Sequence, residues 1–244
     1  MQPNTPFKTY LKFDIKLSFY LTISFILMTI VGTLTHELGH YTTAKLLGHE
    51  AHINYKSAFH YNNEIQDYLR STYNLYSNEI ENGIDFPEKN KYEKAVNKLK
   101  TDNFWIILSG PMQTMLTGTI GFILLLTYRD KFINANNISI LGWGLIFTTL
   151  FWLRQLTNLF MAIVGLLKNG EPSLNGDEMR LAWYLNINIW TIQILTGLIS
   201  ICILIFVLKI IPKTKLLTFL LSGLIGGISG YYVWLIKFGK IVMP

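Results

Sequence analysis

The sequence predicts an all-α polytopic membrane protein of about five transmembrane helices, with one polar insert between the first and the second. Three observations predict it. Half of the 244 residues are apolar and only 15% are charged. Several runs reach the roughly 20 apolar residues that about 30 Å of hydrocarbon requires. One long polar stretch, residues 49–103, separates the first run from the rest. The formal charge of +6 is no nucleic-acid signal, because the lysines flank apolar runs or share the insert with many acids. A lone cysteine, Cys202, excludes an internal disulfide and a cysteine-rich metal site.

The first span, with its flanks, covers residues 17–47. Leu17 to Thr35 carries no charge, the helix is expected to run on to Leu47, and Gly48 is a natural stop. In the insert, His52 to Phe59 alternates loosely, as a strand or a short β-hairpin would. Tyr92, Ala95, Val96 and Leu99 have helical spacing, so Lys91 to Lys100 reads as an amphipathic helix leading into the second span. The middle of the insert, rich in Asn, Tyr and Glu, carries no periodic pattern. The remaining spans fill residues 104–236, at about Phe104–Thr127, Ile140–Leu167, Leu181–Leu208 and Leu216–Ile236. The whole of 1–244 is expected to form a single membrane domain. Gly223, Gly226, Gly227 and Gly230 in the last span read as a close helix contact.

The first span ends in His36-Glu37-Leu38-Gly39-His40. Residues i and i+4 of a helix lie one above the other, so the two imidazoles can share one ion. Glu37 then projects near that ion, where a carboxylate can take a proton from a metal-bound water. If the helix ends near Leu47, His40 lies roughly 10 Å and His36 roughly 16 Å inside that end. Ionisable groups at such depth are expensive and face a protein interior or a water-filled cavity, which marks them as functional. His49, His52 and His60 stand in polar sequence and read as solvated surface residues. Leu46 stands where a metzincin would carry its third histidine, so that family is excluded.

A catalytic zinc takes three protein ligands and keeps an open position, so two histidines need a partner. The first and third spans run in the same direction, and the segment after the third emerges on the side of the pentad. That segment, Asn169 to Glu178, holds helix-breaking Gly and Pro and then an acidic pair. Asp177 is the preferred third ligand and Glu178 the alternative; acidic residues also favour the first turn of any helix. Glu64, Glu79 and Glu81 in the insert are fallback ligands that would have to fold back over the site. Arg154 and Asn158, one turn apart in the third span, are candidates for substrate or oxyanion contacts, or for interhelical hydrogen bonding.

The stretch HELGHYTTAKLLGHEAHI resembles the site-2 protease family of intramembrane zinc peptidases. Leu108-Ser109-Gly110-Pro111 looks like the Gly-Pro motif that family carries in its second core span, and Gly176-Asp177 stands where it has an Asp-Gly ligand motif. Here Glu178 follows Asp177 instead of Gly, and Asn158 stands farther upstream than the family's Asn-x-x-Pro run would put it. The resemblance covers residues 17–50 and 104–208. It implies Zn2+ on His36, His40 and Asp177, with Glu37 as general base, and hydrolysis of a peptide bond in or near the bilayer by a zinc-bound water. The implied partners are a membrane protein or peptide substrate and the lipid bilayer.

Three rivals stand beside that expectation. One is a multi-span membrane zinc peptidase of the other kind, cutting soluble or prenylated chains, with a third-ligand Glu from the insert. Another is a catalytically inactive metal-binding membrane scaffold. The last is a metal carrier using His36 and His40 as an ion site.

Overall fold

The computed structural model describes residues 12–134, 137–170 and 176–244. Helix α1 spans Ile15–Leu46. Asp14 caps it, its Oδ1 accepting from the Leu17 N–H at 2.9 Å. The helix ends as expected: Gly48 adopts φ 81°, and the His49 N–H closes the last turn on the Ala44 carbonyl. Strands β1 (Glu50–Ile53) and β2 (Ala58–Tyr61) follow as an antiparallel hairpin that pairs Ile53 with Ala58 and Glu50 with Tyr61. The loose alternation in the sequence therefore marked the hairpin, shifted by about two residues at each end.

Helix α2 (Asn63–Glu81) occupies the part of the insert that had no legible pattern. The Asn62 side chain caps it, and Gly83 at φ 68° ends it. Helix α3 (Lys89–Phe132) merges the amphipathic helix and the second span into one rod of 44 residues. No Gly or Pro stands between Lys89 and Ser109 to interrupt it. Phe86 stacks on Tyr76 and meets Tyr92 edge-on, holding α2 against the start of α3.

Helix α4 (Ile140–Thr149), a 3-10 turn (Leu150–Trp152) and α5 (Leu153–Asn169) form the third long helical stretch. Gly170 at φ 74° stops α5. Residues 171–175, part of the segment expected to return toward the site, lie outside the described residues. Helix α6 (Asp177–Tyr184) is separate from α7 (Thr191–Ile210), which corrects the expectation of one span starting at Leu181. Two asparagines break the helix between them. Asn186 takes φ 54°, and the Asn188 side chain accepts from the Trp190 N–H. Helix α8 (Lys213–Gly230) continues through a π-helical stretch (Tyr231–Phe238) into the short α9 (Gly239–Val242).

Among the described residues, five helical segments are long and apolar enough to cross a membrane: Ile15–Leu46, Lys89–Phe132, Ile140–Asn169, Thr191–Ile210 and Lys213–Val242. Their outer faces carry exposed apolar side chains such as Phe19, Val31, Ile123, Leu198 and Leu224. The main core gathers Leu21 and Phe25 of α1 with Leu125, Ile146, Val207 and Phe219. Phe25 and the pentad lie on one helix with His36 eleven residues farther on, so this core sits about 16 Å from the histidines along α1. Helix α1 packs on α8 and α3. A Cβ at Gly226 would come within 2.7 Å of the Thr22 carbonyl, whereas Gly227 has open space beside it. The glycine face of α8 is thus a close contact with α1, without Gly227.

Candidate metal centre

His36 and His40 stand one turn apart on the inner face of α1, and their Nε2 atoms are 3.3 Å apart. Asp177, the first residue of α6, brings Oδ2 to 2.9 Å from His36 Nε2 and 3.3 Å from His40 Nε2. Among the described residues this is the one group of three His, Cys, Asp or Glu side chains able to hold a metal ion. Two ligands about 2.05 Å from a tetrahedral ion sit roughly 3.3 Å apart, so the spacing suits a small divalent cation.

The outer nitrogens settle which ring atoms face inward. His40 Nδ1 meets the carbonyl of Ile106 at 2.6 Å, and a carbonyl only accepts, so Nδ1 carries the proton. His36 Nδ1 meets Thr114 Oγ1 at 2.9 Å, while that hydroxyl donates to the Gly110 carbonyl at 3.1 Å. Thr114 therefore accepts from His36. With Nδ1 the outward donor, each ring in its neutral form would present an Nε2 lone pair beside the Asp177 carboxylate, a donor set able to share a cation. Burial opposes charge on Asp177, but contact with the two imidazoles outweighs it and holds the carboxyl well below the usual range.

Helix α3 supplies this support because it lies unusually close to α1. A Cβ at Gly110 would fall 2.3 Å from His40 Nε2 and 2.9 Å from His36 Nε2. Only glycine lets the backbone pass there, which gives the Gly110-Pro111 motif a physical reason. Pro111 also lacks the N–H that would bond the Ile107 carbonyl one turn back.

Glu37 is buried beside the cluster. Its Oε2 accepts from the Ala58 N–H of β2 at 3.0 Å, and its Oε1 lies 3.7 Å from the Arg154 guanidinium of α5. Asn158 does not join Arg154. Its Nδ2 donates to Glu178 Oε1 at 3.1 Å. Glu178, 1% exposed, is not part of the His36–His40–Asp177 group, and burial pushes its carboxyl above the usual range. The alternative third ligand is thus committed elsewhere. Glu64, Glu79 and Glu81 lie on α2, outside the cluster. A cavity of about 480 Å3 opens on these groups, lined by Glu37, His40, Ala58, Arg154, Asn158 and Asp177 among others.

The hairpin contacts were not legible in the sequence, and one reading is corrected. His49 is buried at 3% exposure, not solvated, and its Nε2 bonds Asp102 Oδ2 of α3 at 2.9 Å. Lys98 donates to the same oxygen at 2.8 Å. His60 donates to Asn103 Oδ1 at 2.9 Å, whereas His52 is exposed as expected. The open end of the hairpin is thus tied to α3 on both of its chain segments, through partners that only the fold brings near.

No protein-family model, curated protein or solved structure matches this chain. What fold and site define is a helical protein with five segments of membrane-crossing length and a His-His-Asp group able to hold a metal ion.

Proposed function

We propose that this chain is an integral membrane zinc metalloprotease of the site-2 protease kind, hydrolysing peptide bonds of membrane-embedded or membrane-proximal substrates. The observation that carries the reading is the convergence of Asp177 on His36 and His40, which stand with Glu37 on a helix long enough to cross a bilayer. Two nitrogens and a carboxylate oxygen are a donor set suited to Zn2+ with a position left open. A zinc ion held there supplies Lewis acidity, lowering the pKa of a water and polarising the scissile carbonyl.

The chain's own residues supply the rest. Glu37 takes the proton of the attacking water as its oxygen bonds the carbonyl carbon, and returns that proton to the amine as the C–N bond breaks. The Ala58 N–H holds one oxygen of Glu37 and leaves the other on the Arg154 side. Arg154 also borders the cavity, where a guanidinium can face a developing oxyanion. Asn158, bonded to Glu178, is better suited to holding α6 than to that role. A helical substrate has its carbonyls bonded internally, so it has to unwind before attack.

The rival with a third-ligand Glu from the insert draws no support from the positions of Glu64, Glu79 and Glu81 on α2. The test is metal content together with cleavage of a model transmembrane peptide, for wild type and Glu37→Gln. Zinc in both with cleavage only in wild type supports the reading. Equal inactivity with zinc bound points to the inactive scaffold, and transport of metal into vesicles that survives loss of Glu37 points to a carrier.

A further inference from the structure

The hairpin that touches Glu37 is held at its turn by a distant part of the chain. Trp234 Nε1 donates to the Tyr55 carbonyl at 2.8 Å, and the Tyr55 N–H donates to the Met243 carbonyl at 3.1 Å. Both backbone groups of Tyr55 are therefore engaged by the segment that follows α8. The turn is itself stiff. Asn54 Oδ1 accepts from the N–H groups of Lys56 and Ser57, at 3.0 and 2.9 Å, and the Asn54 N–H bonds the Ser57 carbonyl. Ala58 comes next, and its N–H is the donor to Glu37 Oε2.

The holding segment has a built geometry. Tyr231–Phe238 is π-helical, and the Gly239 N–H closes that stretch on the Trp234 carbonyl. Stretches of π-helix are rare and concentrate at functional positions. Gly239 is required twice over: a Cβ there would fall 2.3 Å from the Trp234 carbonyl and 2.6 Å from the Tyr55 ring. The wide turn and its glycine thus bring Trp234, itself buried, against the hairpin.

We infer that the Trp234–Met243 segment is a latch that sets the position of the Glu37 carboxylate through the hairpin turn, with Trp234 and Gly239 as positioning residues. The role assigned to Glu37 rests on the proteolytic reading above; the latch itself rests on the contacts. With the latch closed, Ala58 fixes one carboxylate oxygen. With it released, Glu37 loses the Ala58 hold that opposes its rotation toward Arg154, while the metal ligands on α1 and α6 and their supports on α3 are untouched.

The test uses the full chain, zinc-loaded in lipid nanodiscs, as Trp234→Phe, Gly239→Ala and the control Gly227→Ala, whose Cβ meets nothing within 4 Å. Amide exchange of residues 50–61 is expected to quicken roughly three- to tenfold in Trp234→Phe, the scale of one lost hydrogen bond. Gly239→Ala should exceed that, while exchange of residues 36–46 and zinc content stay at wild-type values. In alanine-selective 15N spectra the Ala58 amide proton should move upfield in both variants, in the direction expected of the reference variant Glu37→Ala, which removes the carboxylate acceptor. Cleavage of the model peptide should lose kcat with KM unchanged, a split that general loosening would not give. Unchanged Ala58 resonance and hairpin exchange in both latch variants would overturn the inference, as would an undiminished kcat once Ala58 has moved. A wild type that cleaves nothing would sink the proteolytic reading and leave the latch to be decided by exchange and the Ala58 resonance.

Discussion

A single methyl group at Gly110 tests whether the close passage of α3 builds the metal centre. In Gly110→Ala the new Cβ falls 2.3 Å from His40 Nε2, 2.4 Å from His40 Cε1 and 2.9 Å from His36 Nε2. Ordinary contact begins at 3.4 Å, so the methyl overlaps the His40 ring edge by about 1.1 Å (3.4 − 2.3). Metal–ligand distances tolerate only about 0.2 Å, so one imidazole leaves the ligand set or α3 backs away. Backing away removes the Ile106 and Thr114 contacts to the outer nitrogens, and such support alone is worth about 10- to 100-fold in metal affinity. Gly110→Ala should therefore weaken zinc binding by at least about 100-fold, or about 2.8 kcal/mol. Competition against a chromophoric chelator in detergent micelles reads this directly, with far-ultraviolet circular dichroism to check that the helices persist. Gly144→Ala, whose Cβ meets nothing within 4 Å, is the matched control. A Gly110→Ala protein that binds zinc within a factor of about three of wild type would refute the reasoning.

Other perturbations separate the remaining parts of the site. Asp177→Asn keeps the shape and loses the charge, so zinc content should fall sharply, while Glu178→Gln should leave it near wild type; the reverse pattern in metal analysis would reassign the third ligand. Thr114→Val removes the acceptor for His36 Nδ1 and should cost about 10- to 100-fold in zinc affinity by the same chelator titration. Breaking the buried His49–Asp102 pair with Asp102→Asn should destabilise the fold by about 1–3 kcal/mol, for a buried polar group left short of a partner, read as a lower thermal midpoint with zinc content unchanged. Chelation should abolish peptide cleavage and added Zn2+ restore it, with the rate after restoration compared against a mock-treated sample.

Sequence reading reached as far as local pattern reaches. The apolar runs marked the five segments of membrane-crossing length but not α2, the 3.6-residue period put His36 and His40 on one face, and Gly48 marked the end of α1. Asp177 was accessible through topology, because parallel spans return loops to the same side. What escaped depends on contacts between distant residues. His49 stands between Gly48 and Glu50, and nothing in that neighbourhood announces Asp102, 53 residues on. The Ala58 N–H is a backbone group, invisible to any reading of side chains, yet it touches Glu37. Arg154 and Asn158 share helical spacing but divide between two acids, Glu37 and Glu178, which spacing alone does not foretell.

Helix α3 has a mechanical consequence. Its 44 residues at 1.5 Å each make a rod of about 66 Å, roughly twice the hydrocarbon thickness it would cross in the proposed setting. The portion from Lys89 to Asn103, with α2 leaning on its start, is polar and would stand outside the bilayer. The same rod carries Ile106, Gly110 and Thr114, which cradle both imidazoles. A force applied to the protruding arm has no hinge to dissipate in before it reaches the ligands. In that setting the candidate metal centre would be mounted on a lever whose handle lies in water.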